Sequence, residues 1–148
     1  MVVYMEKHVI LADTEDHIAS CFAVIQELRP HKVDKQAFID QILMQQSQGY
    51  RLVYLQEDNE TAACMGYRVF NTLGWGKILY VDDLITRVKS RKNGFAKILL
   101  DFAFEQAKLE NCDEVHLDSG HHRFDAHRFY LNTGFKLNCH HFSKVLNG

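Results

Sequence analysis

Arg91-Lys92-Asn93-Gly94-Phe95-Ala96 separates two stretches of different hydrophobic period, and that change decides how the chain folds. Before it, residues 77–86 carry Ile78, Leu79, Tyr80, Val81, Leu84 and Ile85 in a β-prone run behind a Gly74-Trp75-Gly76 turn. From Gly94 onward, Phe95, Ile98, Leu99, Phe102 and Ala103 recur at helical spacing to about Leu109. Strand, short glycine-bearing loop and immediate helix together aim backbone N–H groups and the positive end of the helix at an anion. Gly94 has no Cβ to hold that anion off, Arg91 and Lys92 add positive charge beside it, and Ala96 keeps the first turn small. A basic loop before a helix is also an ordinary solvated turn, so the spacing R-x-x-G-x-A takes its meaning from its surroundings. It fits neither the P-loop, G-x-x-x-x-G-K-(S/T), nor the dinucleotide fingerprint G-x-G-x-x-G, so neither ATP nor NAD is favoured.

Upstream, residues 8–12 form a short β-prone run, and Asp13-Thr14-Glu15-Asp16 supplies a cap and first-turn acids for a helix to about Leu28. Its apolar stripe is Ile18, Cys21, Phe22, Val24, Ile25 and Leu28, and Pro30 ends it. A second helix over residues 34–48 turns Phe38, Ile39, Ile42 and Leu43 inward and stops at Gly49. Residues 50–56 and 62–72 read as strands joined through Glu57-Asp58-Asn59-Glu60, so an antiparallel meander leads into residues 77–86. Downstream, residues 113–118 are a short strand, 125–131 a helix and 135–145 a closing strand. The order β, α, α, β, β, β, α, β, α, β specifies an α+β fold, a mostly antiparallel twisted sheet flanked by about four helices.

The 148 residues are enough for one domain, expected over residues 1–148, and an apolar share of 47% with 24% charged residues fits a globular protein. A formal charge of −2 without a basic tract excludes the electrostatic footprint of a nucleic-acid binder, leaving a small molecule as the default partner. Cys21, Cys64, Cys112 and Cys139 lie far apart, which reads as reduced, mostly buried thiols rather than a zinc motif. The N-terminal stretch lacks the basic start and long apolar run of a signal peptide, and no segment approaches the roughly 20 apolar residues of a membrane span. No membrane partner is expected, and the cytoplasm is the expected location.

The run R-K-N-G-F-A resembles the acetyl-CoA loop of the GNAT superfamily of acyl-CoA N-acyltransferases, whose pattern (Q/R)-x-x-G-x-(G/A) lies between a strand and a long helix. The order of elements is similar over most of the chain. So is D-A-H-R-F-Y-L-N-T-G-F over residues 125–135, which looks like a later family helix carrying A-x-x-F-Y-x-x-x-G-F. The resemblance implies a GNAT fold in which a parallel strand pair splays apart and admits the pantetheine arm of acetyl-CoA along the backbone edge of Leu84, Ile85 and Thr86. It implies that Arg91, Lys92, Asn93, Gly94, Phe95 and Ala96 hold the pyrophosphate. Arg123 stands where many relatives have an asparagine that contacts CoA, and an arginine there reaches for phosphate or faces solvent. Residues 117–130 and 140–144 are also similar to a small-molecule branch that includes aminoalkylphosphonate N-acetyltransferases.

Acetyl transfer from a thioester to an amine needs a neutral amine, a polarised carbonyl and a proton for the departing thiolate. Tyr130 matches the family tyrosine that protonates the CoA sulfur; a packing tyrosine between Phe129 and Phe135 is the bland alternative. Asp82 and Asp83 lie where relatives often carry a glutamate that takes the amine proton. Strand alternation puts the two on opposite faces, so one of them faces the cleft, and Asp82 is favoured as base or ammonium anchor, acting through water. The nine histidines, His121, His122, His127, His140 and His141 among them, offer secondary bases rather than a metal site, because adjacent histidines on a strand diverge. No metal is expected. No cysteine lies in either motif and nothing beside Cys139 identifies an activating base for it, so a structural thiol and direct attack by the amine are favoured over an acylated cysteine. The acceptor is expected to be a small amine; a protein N-terminus or lysine, or a non-catalytic CoA-binding sensor, are the competing readings. The closing strands offer a pairing edge for a homodimer.

Overall fold

A computed structural model describes residues 8–147. The first seven, part of the stretch read above as unlike a signal peptide, lie outside the described residues. One compact unit runs to His116 and a second begins at Leu117.

In the first unit, β1 (Ile10–Leu11) leads to α1 (Glu15–Leu28) and α2 (Lys35–Ser47). Each helix starts where a side chain answers an orphan first-turn amide: Thr14 accepts from His17 N–H at 3.1 Å and Asp34 from Ala37 N–H at 3.0 Å. Ile18, Cys21, Val24 and Ile25 of α1 and Phe38, Ile39 and Ile42 of α2 enter one core with Leu52, Tyr54, Cys64 and Ile85. Burial of each large aliphatic side chain contributes about 1.5–3 kcal/mol, more than helix propensity supplies. Leu43, expected inside, lies on the exposed side of α2, since Phe38, Ile39 and Ile42 already fill the buried stripe.

β2 (Arg51–Glu57), β3 (Glu60–Thr72) and β4 (Gly76–Thr86) form the expected meander, and all the pairs from β1 to β4 are antiparallel. Asp58 and Asn59 take positive φ of 53° and 63°, which closes the two-residue hairpin between β2 and β3. β3 is buried continuously from Thr61 to Tyr67 because α1 packs on one face of the sheet and α3 (Phe95–Leu109) on the other. Cys64 faces the α1 side, whereas the Tyr67 ring meets Phe102 of α3 at 6.4 Å.

β4 connects through α3 to β5 (Glu114–Leu117), which completes the sheet in the order β1-β2-β3-β4-β5 with β4 and β5 as its parallel pair. The two strands are clamped where they begin: Asp113 N–H donates to Lys77 O at 2.7 Å and Lys77 N–H to the Asp113 carboxylate at 2.9 Å. β4 has 11 residues and β5 has 4, so counting from that clamp β5 ends level with about Val81 and the last part of β4 runs on past it.

The second unit contains α4 (Phe124–Asn132). The closing strand expected over residues 135–145 does not form: among the described residues this stretch enters no ladder, and Leu137, Phe142 and Val145 stand exposed. An alternating pattern supplies propensity only, and a strand also needs a partner edge for its N–H and C=O groups. Among the described residues the bonds of this stretch include those of a turn and a side-chain pair, Phe135 N–H to Tyr130 O at 3.1 Å and His141 Nδ1 with Asp118 at 2.8 Å.

Candidate active site

The loop after β4 is built from beneath. Arg87 is buried and donates through Nε to Ser90 Oγ at 2.6 Å and through Nη1 to Glu60 at 2.7 Å. Ser90 Oγ in turn donates to Glu57 at 2.8 Å, while Val88 N–H donates to Glu27 at 3.1 Å. These bonds hold a single 3-10 turn, Val88–Ser90, and Ser90 O then accepts from the Asn93 amide at 3.0 Å. Arg87, Ser90 and Glu57 therefore fix the base of the loop, a role not read from the sequence because the partners lie about 30 residues apart.

Above this base, Gly94 caps α3 with φ 78° and ψ 12°, and a Cβ built there meets nothing within 4 Å. The first helical bond is Ile98 N–H to Gly94 O at 3.1 Å, so the first-turn amides of Ala96 and Lys97 have no acceptor within the helix. Arg91 and Lys92 are exposed and have no acidic partner among the described residues; Arg91 spends only Nε, on Thr86 O at 3.3 Å. The Phe95 side chain is in the core, as are those of Leu84 and Ile85, so any contact these three make with a ligand is through backbone. β4's terminal edge, the loop and the start of α3 are thus contiguous, with open space and two uncommitted cations where an anion is stabilised.

Asp82 and Asp83 do not alternate as expected. Gly66 is opposite Asp83 but Tyr67 is opposite Val81, so Asp82 is the extra residue of a β-bulge. The inserted residue resets the alternation, and both carboxylates face the α1 side. Asp83 accepts from Arg29 at 2.9 Å and from the Tyr50 hydroxyl at 2.8 Å; Asp82 accepts from Arg68 Nε at 2.8 Å and Nη2 at 2.9 Å. Arg29 Nη2 also donates to the Asp82 carbonyl at 3.3 Å, which ties the α1 C-cap to the bulge. Gly66 is required here: a Cβ at that position would occupy the place of the Tyr50 hydroxyl. Burial, and then the charge and hydrogen bond of Asp83, push the Tyr50 phenol well above its ordinary pKa. Its folded pKa being the higher one, stability from this group is complete below about pH 10 and is lost as pH rises beyond. Tyr50→Phe is expected to lower stability by about 1–3 kcal/mol at pH 7 and to flatten the alkaline decline, measured by urea unfolding at pH 7 and 10.5.

In the second unit, Tyr130 lies on α4 with ring contacts to Phe129 at 5.7 Å and Phe135 at 5.9 Å. Its hydroxyl has no protein partner among the described residues. Burial pushes the phenol up and Arg123 pulls the other way, leaving it raised and hence protonated at neutral pH. Arg123 is the N-cap of α4, half-buried. Ser119, passed over in the sequence, is the one buried side-chain hydroxyl left without a partner among the described residues. His127 is spent on Gly120 O at 2.7 Å and His141 on Asp118, whereas His121 and His122 are exposed.

Residues 11–135 match the sequence model of the Acetyltransferase (GNAT) family. The chain belongs to that family. YhdJ of Bacillus subtilis (strain 168), an uncharacterized N-acetyltransferase, is 30% identical over 93% of this chain and 97% of its own. The aminoalkylphosphonate N-acetyltransferase of Salmonella typhimurium is 29% identical over 95% of this chain and 90% of its own. A solved structure described as a transcriptional regulator from Bacillus halodurans C-125 shares the fold with a TM-score of 0.82 at 19% identity, over 94% of this chain and 100% of that one. The expected GNAT fold and acyl-CoA-dependent N-acyltransferase class are thereby established. Of the cysteines, Cys21 and Cys64 are fully buried, and burial, then the neighbouring Cys21 thiol, raises the Cys64 pKa, so this thiol stays protonated.

Proposed function

We propose that this GNAT protein transfers the acetyl group of acetyl-CoA to a primary amine of a small molecule by direct attack in a ternary complex in the cytoplasm, its two compact units working as one domain over residues 1–148. The observation that carries the reading is the α3 start, where Gly94 in the left-handed region, two uncommitted cations and first-turn amides converge on open space. Family members generally use acetyl-CoA, and these residues fit its pyrophosphate. In this reading Arg91, Lys92, Asn93 and the amides from Gly94 to Ala96 bind phosphate oxygens, and Arg123 adds a further phosphate contact. The backbone edge of Leu84, Ile85 and Thr86 pairs with the pantetheine amides.

Asp82, or Asp83 beside it, takes the proton of the acceptor ammonium through water. The freed amine forms the new C–N bond as the C–S bond breaks, and Tyr130 gives its phenolic proton to the leaving thiolate. The acylated nitrogen gives its second proton through water to the Tyr130 phenolate, which restores the phenol, and the proton held by the aspartate passes to solvent. The products are an amide, a free thiol and one proton. A homodimer belongs to the same reading, supported by the exposed Leu137, Phe142, Val145 and Leu146; a monomeric mass by light scattering removes that part of it.

Thiol release from acetyl-CoA over a panel of small amines tests the function. Turnover is expected with at least one, and Asp82→Asn is expected to lower kcat/KM about tenfold or more. Tight CoA binding without thiol release from any amine overturns the proposal in favour of a sensor, and release with peptide amines alone in favour of a protein acceptor.

A further inference from the structure

On the α1 side of β4, the Arg68 guanidinium lies over the rings of Phe70 at 5.0 Å and Tyr80 at 5.4 Å while gripping Asp82. Stacking on two rings holds the planar fork in one orientation. Of the five N–H donors of an arginine, Asp82 takes two, and the other three have no protein acceptor among the described residues. Each Asp82 oxygen accepts one of these bonds and keeps further acceptor capacity. The neighbouring pair differs: the Asp83 side chain is 16% exposed and filled by Arg29 and Tyr50. One ion pair at the bulge is closed, and the other stands half open with a donor fork and a carboxylate side by side.

We propose that this open pair reads a zwitterionic acceptor, an amine joined by a short linker to a carboxylate, phosphate or phosphonate, with the ammonium on Asp82 and the anion on Arg68. The proposal rests on the acyltransferase reading above. A ligand with an ammonium alone is attracted by Asp82 and repelled by Arg68 a salt-bridge length away, and the two nearly cancel; a lone anion meets the same cancellation in reverse. A ligand with both charges gains at both ends. The free edge of the Arg68 fork suits an oxyanion bound through two oxygens. The same placement brings the reacting nitrogen beside the carboxylate that takes its proton, directly or through a relaying water.

The test compares propylamine, 3-aminopropanoate and 2-aminoethylphosphonate by thiol release and by calorimetric binding to the full chain, in wild type, Arg68→Gln and Arg68→Lys. Wild type is expected to prefer the anionic amines by about tenfold or more in kcat/KM, a ratio that falls to about one in Arg68→Gln and to an intermediate value in Arg68→Lys. Circular dichroism confirms that both variants fold, and the ratio within one variant is insensitive to partial loss of active protein. Equal kcat/KM for the three amines, or a ratio unmoved by Arg68→Gln, overturns the inference while leaving the acetyltransferase intact. If no amine is turned over, Arg68-dependent binding of 3-aminopropanoate upholds the zwitterion site although the catalytic reading has failed, and its absence overturns the site as well.

Discussion

Gly94→Val is expected to weaken CoA binding by about 100-fold, measured by calorimetry, while the far-ultraviolet spectrum stays native. Two effects contribute and can be separated. Gly94 holds φ 78°, where a β-branched residue is strained by about 1–2 kcal/mol. That cost falls on the start of α3 and lowers the melting temperature. The second effect is steric. Beyond its chain neighbours a Cβ at Gly94 meets no protein atom within 4 Å, and in the proposed reading it projects into the space of the pyrophosphate and holds phosphate oxygens off the amides behind it. Losing two charge-assisted N–H bonds of about 1.5–3 kcal/mol each amounts to 100-fold or more. Gly94→Asn distinguishes the two, since asparagine tolerates the left-handed region but also carries a Cβ. It is expected to keep most of the stability and still lose affinity. Unchanged affinity in both variants places the pyrophosphate elsewhere.

What the sequence revealed, and what it concealed, divides by distance along the chain. The cap within residues 13–16, the helix start at Asp34, the hairpin within residues 57–60 and the Gly94 start of α3 are each decided within four residues, and all were legible. The bulge at Asp82 was not, because it exists only in the pairing of β3 with β4, where Asp82 finds no opposite residue. Missing it reversed the face of one carboxylate. The partners that hold these acids were hidden for the same reason: Arg29 is 54 residues from Asp83, Tyr50 is 33, and Arg68 is 14 from Asp82. The stretch over residues 135–145 erred in the other direction, since a local β pattern cannot show whether a partner edge is present.

Tyr130→Phe is expected to lower kcat by about 10²–10³-fold with little change in KM for acetyl-CoA, since the loss falls on a proton transfer made only in the transition state. The substitution removes one oxygen and keeps the ring that packs on Phe129 and Phe135, so a stability loss of more than about 1 kcal/mol is not expected. A tyrosine that merely packs would show the opposite pattern, with kcat unmoved. The pH profile adds a readout that packing cannot imitate. Burial raises the phenol above its ordinary pKa of about 10, so it carries its proton throughout the neutral range, and activity depending on that proton declines only at strongly alkaline pH. That decline should vanish from the residual activity of the phenylalanine variant. Arg123 opposes the rise and therefore sets how early the decline begins: Arg123→Gln should move it to higher pH while Tyr130 is present and have no such effect once Tyr130 is replaced. A kcat within twofold of wild type for Tyr130→Phe, with an unaltered alkaline limb, would transfer the proton-donating role to another group.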